Sequence, residues 1–285
     1  MEMGTNGGGA ATETRAHPDG QTLMMGQHWK ESRDPTSIFH FTPVPPGGNA
    51  SMTPRLLHLM WISPYLRDPY VVPPDLIENA QNWQRMNPKW KVTLWTNTLV
   101  REHLPDLVSK ILFNISSPAW ISDLSRYSIL ELYGGVYLDA DTWPVHPMDD
   151  IITKYSPFTV CQGYDDVNGS IALPFKDIDM CRRLANGLIA TPPGTRTMQQ
   201  MIQKSFDRSM SFGKNGTAKF HLGFTGPYVW KTTVRHDPSW SILSQKTFMP
   251  CGFRNPAKQG LKVCNVQAFK DDPQVIGMHK LTWTR

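Results

Sequence analysis

Apolar and polar positions along the 285-residue chain fall into short alternating blocks. Arg55 to Ile62 (RLLHLMWI) is an apolar stretch bounded by Pro54 and Pro64, and an apolar run of that length between prolines predicts a buried strand. Residues 75–86 (DLIENAQNWQRM) follow two prolines and predict a helix, with Asp75 as its N-cap and Asn87-Pro88 as its stop. Lys91 to Trp95 (KVTLW) alternates as a strand does. Pro118 to Tyr133 (PAWISDLSRYSILELY) predicts a helix that ends at Gly134-Gly135, where glycine accepts a left-handed conformation. Val136 to Leu138 then forms an apolar strand that opens onto Asp139-Ala140-Asp141. Further strands are expected at 158–161, 171–175 and 187–191, and helices at 178–186, 196–209 and 226–235. Strands alternating with helices specify an α/β fold around a mostly parallel sheet. Residues 1–53 contain the run Gly7 to Gly9 and the segment TPVPPGG at 42–48, so they are expected to form a poorly structured arm before a single domain over 54–285.

Composition narrows the class. A chain that is 40% hydrophobic, with ten tryptophans and twelve phenylalanines, has the make-up of a packed enzyme-sized globule and excludes collagen, coiled coil and whole-chain disorder. No run of eighteen apolar residues occurs, and Met1 to Ala10 has neither the basic nor the apolar region of a secretion signal. The expectation is therefore a soluble cytoplasmic protein with no transmembrane segment. The net charge of +5 is spread without a basic run, which argues against a nucleic-acid partner and for a phosphate-bearing small ligand. Cys161, Cys181, Cys251 and Cys264 include no CxxC pair, so they give no zinc signature and read as buried thiols. Sequons at Asn49, Asn114, Asn168 and Asn215 bear only on a lumenal protein. None of these patterns specifies an oligomeric state.

The candidate chemistry gathers around residue 139. Asp139 and Asp141 follow an apolar strand, at the carboxyl edge where open α/β sheets bind ligands. Two hard oxygen donors at that spacing suit Mn²⁺ or Mg²⁺, with the remaining ligands taken from water and a diphosphate. A second D-x-D, Asp177-Ile178-Asp179, precedes a predicted helix and reads as capping. Asp123 and Arg126 share a helix face, either as a solvated surface ion pair or as a grip on substrate oxygens. Trp61 ends the first strand, either as core or as a stacking platform for a base. His279 and Trp283 lie in the tail MHKLTWTR, where a folded-back histidine would offer a nitrogen to a metal.

Read together, LLHLMW from Leu56 to Trp61, Asn82-Trp83, Asn87-Pro88, ISDLSR from Ile121 to Arg126 and ILELYGGVYLDAD from Ile129 to Asp141 resemble glycosyltransferase family 32, the D-x-D sugar-binding glycosyltransferases. This region is also similar to the glucosylating domains of the large clostridial toxins. NGLIA from Asn186, Thr225-Gly226-Pro227 and the stretch His279 to Trp283 follow in the family's order. The resemblance implies a GT-A fold, a nucleotide-sugar donor with UDP favoured over GDP, a glycan or other hydroxyl acceptor, and transfer with retention. It implies Mn²⁺, with Mg²⁺ as the alternative, held at Asp139, Asp141 and His279. Catalytic positions would be Asp123, Arg126, Asp139 and Asp141. Trp61 would stack on the base, Asp123 and Arg126 would hold the donor sugar, Tyr137 and Asp139 would contact the donor, and Trp283 would lie near the β-phosphate. The family's Golgi members carry an N-terminal anchor that is not evident here, which favours a cytoplasmic enzyme over one of the Golgi lumen. Acceptor recognition would fall to loops at 164–170 and 221–227.

Two other readings fit parts of the sequence. YLDADT from Tyr137 has the apolar-strand D-x-D start of a haloacid dehalogenase-like phosphohydrolase, although Trp143 stands where that pattern has Thr or Val. A non-catalytic nucleotide-sugar or glycan-binding protein could also use the same scaffold.

Overall fold

A computed structural model describes residues 52–68, 71–110, 115, 117–163, 170–213, 225–251 and 266–280. All of them lie within one unit, Ile38–Arg285. Nine strands occur among them: β1 (Leu56–Met60), β2 (Lys91–Trp95), β3 (Gly135–Leu138), β4 (Thr142–Pro144), β5 (Phe158–Gln162), β6 (Ala172–Leu173), β7 (Arg183–Thr191), β8 (Ser241–Leu243) and β9 (Gly277–His279). Seven make a sheet of order β2-β1-β3-β7-β5-β8-β6, while β4 and β9 form a separate antiparallel ribbon. Five of the seven strands run in one direction, and β7 and β6 run against them. The expected α/β sheet with mostly parallel strands is therefore present.

Alternate residues of each strand feed different cores, as the two-residue period of a strand requires. Leu57 and Leu59 of β1, Val136 and Leu138 of β3, and Ala190 of β7 pack with α1 (Pro74–Met86) and α5 (Asp149–Tyr155). Leu56 and Met60, Tyr137 and Ile189 face the opposite core, with α4 (Pro118–Tyr133), α6 (Arg196–Gly213) and α7 (Pro227–Val234). Short helices α2 (Asn97–His103) and α3 (Pro105–Lys110) complete that side. Helices thus cover both faces, and β1 and β3 are buried along their whole length.

The turn from α4 into β3 requires its two glycines. Gly134 and Gly135 have φ of +62° and +95°. A Cβ on Gly135 would stand 2.5 Å from Leu56 O, and one on Gly134 would stand 2.6 Å from Pro193 N. His58, fully buried on β1, braces the turn: its Nδ1 accepts from Trp95 Nε1 at 3.1 Å, so Nε2 carries the proton and donates to Gly134 O at 2.9 Å. Burial drives this imidazole down to about 4, against the opposing pull of the Gly134 bond.

Several expectations are corrected. The helix proposed for 178–186 is absent: Phe175–Met180 is a 3-10 turn, and Arg183–Thr191 is a nine-residue strand because it pairs with both β3 and β5. The strand at 171–175 shrinks to Ala172–Leu173. Asp75 does not cap α1, since Pro73 occupies that position and Asp75 lies in the first turn, where a negative charge meets the positive helix end. Asp177 and Asp179 have no α-helix to cap, and Asp179 pairs with Arg235 at 3.0 Å.

The cysteines are also corrected. Cys161 and Cys181 form a disulfide, and Cys251 is disulfide-bonded too, so these three are not thiols. Cys161 on β5 pairs with Leu184 of β7, and Cys181 lies just before β7, which brings residues separated by 20 in sequence to a Cα distance of 5.3 Å. The four sequons and Cys264 lie outside the described residues. Among the described residues no helix is long and apolar enough to cross a membrane.

Candidate active site

The residues able to do chemistry meet at the carboxyl end of β3. Asp139 extends the β3–β7 ladder by donating its amide to Gly187 O at 2.9 Å, and Thr142 N returns to Asp139 O at 2.8 Å. Asp139-Ala140-Asp141 is therefore a tight turn at the sheet edge. Helix α1 pins it from one side: Asn79 Nδ2 donates to Ala140 O and to Thr142 O, each at 2.8 Å, and Trp83 Nε1 donates to Thr142 O at 2.8 Å. The β4–β9 ribbon pins it from another, pairing Thr142 with His279. His279 Nε2 consequently lies 3.3 Å from Asp139 Oδ2 and 3.3 Å from Asp141 Oδ1.

Helix α4 supplies the opposite wall. It is buried on nearly all sides, polar residues Asp123, Ser125, Arg126 and Ser128 included. The solvated-surface reading of Asp123 and Arg126 is thereby overturned, because each is 6% exposed. Arg126 lies 3.3 Å from Asp123 Oδ1 and 3.4 Å from Asp139 Oδ1, and donates to Asn186 O at 3.0 Å and Ser122 Oγ at 2.8 Å. Its Cζ stands 4.6 Å over the Tyr137 ring, whose hydroxyl lies 3.2 Å from Ser122 Oγ. Asp123 also accepts from Asn186 Nδ2 at 2.7 Å and Thr225 Oγ1 at 2.7 Å. One guanidinium thus holds two carboxylates from different elements in fixed positions, a planar fork being suited to that task.

The electrostatics follow from this packing. Burial by itself raises the Asp139 carboxyl, but the Arg126 charge and bonds from His279 and Tyr137 outweigh it and hold the group at about 2. At Asp123 burial dominates and moves the carboxyl upward against the pull of Arg126 and Thr225. His279 is moved upward: burial opposes its charge, and the bond it donates to Asp139 and the charge of Asp141 more than compensate.

Asp123, Arg126, Tyr137, Asp139, Asp141 and His279 are therefore brought together. Trp61 lies just past the end of β1, the parallel neighbour of β3, so it stands at the same sheet edge. It is partly exposed and donates from Nε1 to Val71 O at 3.3 Å. Trp283 lies outside the described residues, as do 164–169 and 221–224 of the loops considered for the acceptor. Sequence reasoning gave no site role to Asn79, or to Ser122, Asn186 and Gly187 although they lie in the ISDLSR and NGLIA matches, and it placed Thr225 in an acceptor loop, not against Asp123. The spacing of Asn79 and Trp83 on one buried helix face was the available signal for the first of these.

Among the described residues no group of three or more His, Cys, Asp or Glu side chains is disposed to hold a metal ion. Asp139 Oδ2 and Asp141 Oδ1 both face His279 Nε2 instead. Their 3.3 Å separations are nonetheless close to the roughly 3 Å between neighbouring ligands of an ion with about 2.1 Å bonds, and carboxylate and imidazole donors suit Mn²⁺. Donor chemistry and these two spacings match what such an ion uses.

Residues 73–157 match the family described as glycosyltransferase sugar-binding region containing DXD motif. The chain is a glycosyltransferase, and over this segment it resembles that family. The matched segment runs from α1 to α5 and so contains α4, β3 and both aspartates. An uncharacterized glycosyltransferase of Acanthamoeba polyphaga mimivirus is 29% identical over 212 residues, covering 72% of this chain and 76% of the relative. Inositol phosphoceramide mannosyltransferase 1 of Schizosaccharomyces pombe is 29% identical over 133 residues, 42% of this chain and 38% of that enzyme. Among solved structures, the catalytic domain of alpha-toxin from Clostridium novyi aligns at a TM-score of 0.40 and 9% identity, covering 76% of this chain and 78% of the toxin domain.

Proposed function

We propose that this glycosyltransferase has a GT-A fold and moves a sugar from a nucleotide donor, UDP in preference to GDP, to a hydroxyl acceptor, with retention of configuration and dependence on Mn²⁺ or Mg²⁺. The observation that carries this reading is the buried Arg126 fork binding Asp123 and Asp139 beside Asp141 and His279, at the edge of the sheet where Trp61 also ends. Asp141 and His279 would hold the metal with Asp139 alongside, and the ion, when bound, would neutralise charge on the departing diphosphate. Asp139, ionised down to about pH 2, presents a fixed negative charge at every physiological pH. Arg126 keeps Asp139 and Asp123 apart and oriented, so that the donor sugar meets a preformed set of acceptors. Trp61 would stack against the base.

The disulfide-bonded cysteines favour an oxidising compartment, such as the Golgi lumen, over the cytoplasm. Thermal denaturation with UDP or GDP, each in Mn²⁺ or EDTA, tests the donor-site reading. UDP is expected to raise the melting temperature in Mn²⁺ and far less in EDTA. Equal shifts with and without the metal would remove the cation from the proposal, and a larger shift with GDP would reverse the donor preference.

A further inference from the structure

Strand β7 is irregular at the one place where it meets the site. Against β3 its register is unbroken, from Gly135↔Thr191 to Leu138↔Leu188. Against β5 it breaks: Thr159 pairs with Ile189, and the next residue, Val160, pairs with Ala185. Asn186, Gly187 and Leu188 therefore have no partners on β5 and bow out of that ladder. The gap is closed by side chains, since Thr159 Oγ1 donates to Ala185 O at 3.1 Å and itself accepts from Trp230 Nε1 at 2.9 Å. Bulges re-aim a strand locally, and this one is satisfied at its rim as a built feature would be.

What the bulge delivers is the support of the acidic cluster. Asn186 O accepts from Arg126, Asn186 Nδ2 donates to Asp123 Oδ1 at 2.7 Å and to Tyr127 Oη at 3.1 Å, and Gly187 O accepts from the Asp139 amide. Gly187 does not need to be glycine for its backbone angle, because its φ is not positive. It needs to be glycine for space: a Cβ there would overlap Asp139 Oδ2 and stand 2.5 Å from Asp139 Cγ and 2.9 Å from Oδ1. The three nearest atoms all belong to that one carboxylate, and none to the core. A side chain at 187 would therefore be relieved by moving Asp139, away from Arg126 and His279.

We propose that the Asn186–Leu188 bulge of β7 is a positioning element, in which the missing side chain of Gly187 is the space that seats the Asp139 carboxylate. Gly187 acts through Asp139 and touches no reacting group itself. This rests on the reading of Asp139 as a donor-site residue, but its test has a part that does not.

Gly187→Ala, made in the full chain, is expected to fold with a melting temperature lowered by only a few degrees, while UDP affinity in Mn²⁺ weakens roughly tenfold or more, as when the support of a metal ligand is removed. Undiminished UDP affinity overturns the proposal. The second part is a double-mutant cycle read by urea denaturation with neither metal nor nucleotide. The stability cost of Gly187→Ala should vanish in an Asp139→Ala background, where the obstructing atoms are gone, and persist in Asp139→Asn, which keeps the volume. An equal cost in all three backgrounds overturns the proposal whatever the protein binds. A wild-type chain that binds no nucleotide, combined with a cost that vanishes in Asp139→Ala, would refute the donor-site reading and leave the steric seat standing.

Discussion

Single side chains at the end of β3 separate into those that hold charge and those that hold position. Asp141 is 2% exposed and faces His279, so replacing its carboxylate with an isosteric amide removes a charge at little volume cost. Asp141→Asn is expected to keep a cooperative melt and to lose sugar transfer by at least about two orders of magnitude; wild-type turnover in this variant would sink its assignment to the metal. Trp61 is only partly buried, packed against the core on the α1 side of the sheet. Trp61→Ala should weaken donor binding by about 1–3 kcal/mol in a calorimetric titration, the range for loss of a base–aromatic stack, and an unchanged affinity would return the ring to a packing role.

His58 gives a pH dependence whose sign is determined by burial. Its folded value lies near 4, below the ordinary 6.5, so the unfolded chain binds more protons between those limits. Stability from this group is complete above about pH 6.5 and declines as the pH falls toward 4, by about 3 kcal/mol in total. Asp139, held at about 2, adds a second loss between about pH 4 and pH 2. Urea denaturation from pH 7 to 4 should show the first slope, and His58→Gln should flatten it.

At the scale of elements, the legible segments were those whose local pattern and tertiary role agree. Helix α4, the glycine turn and β3 were readable because the helix ends where the glycines begin and an apolar strand follows at once. The structure adds why both glycines are needed: the chain turns against Leu56 and Pro193 with no room for a Cβ. Gly135→Ala is expected to cost roughly 2–3 kcal/mol of unfolding free energy, combining a positive φ with a clash against backbone. A loss within about 0.5 kcal/mol, the usual size for an innocuous substitution, would show that the turn can relax. β7 was half-missed for the opposite reason. Its first residues, RLANG, carry no strand alternation of their own, and they are extended because β3 and β5 offer ladders on both sides.

At the scale of the whole molecule, three long-range joins make the site and one staples the sheet. The β4–β9 ribbon returns His279 to Asp139, across 140 positions; Thr225 reaches Asp123 across 102; and Asn186 reaches it across 63. The Cys161–Cys181 disulfide ties β5 to the entry of β7. Closing a loop of that size is worth about 3 kcal/mol, so reduction, or the pair Cys161→Ala and Cys181→Ala, should lower the melting temperature by several degrees. Identical melts with and without reductant would show that the bond contributes no stability.

The sequence by itself determined the α/β class, the helix–glycine–strand unit, and the presence of Asp123, Arg126, Asp139 and Asp141 close together along the chain, because each of these is written in local periodicity and short spacing. Only the tertiary structure decided that Asp123 and Arg126 are buried, that Cys161, Cys181 and Cys251 are bonded, and that β7 bulges to leave Asp139 its space. Those features depend on which distant segments share a ladder or a core, and no single segment contains both partners.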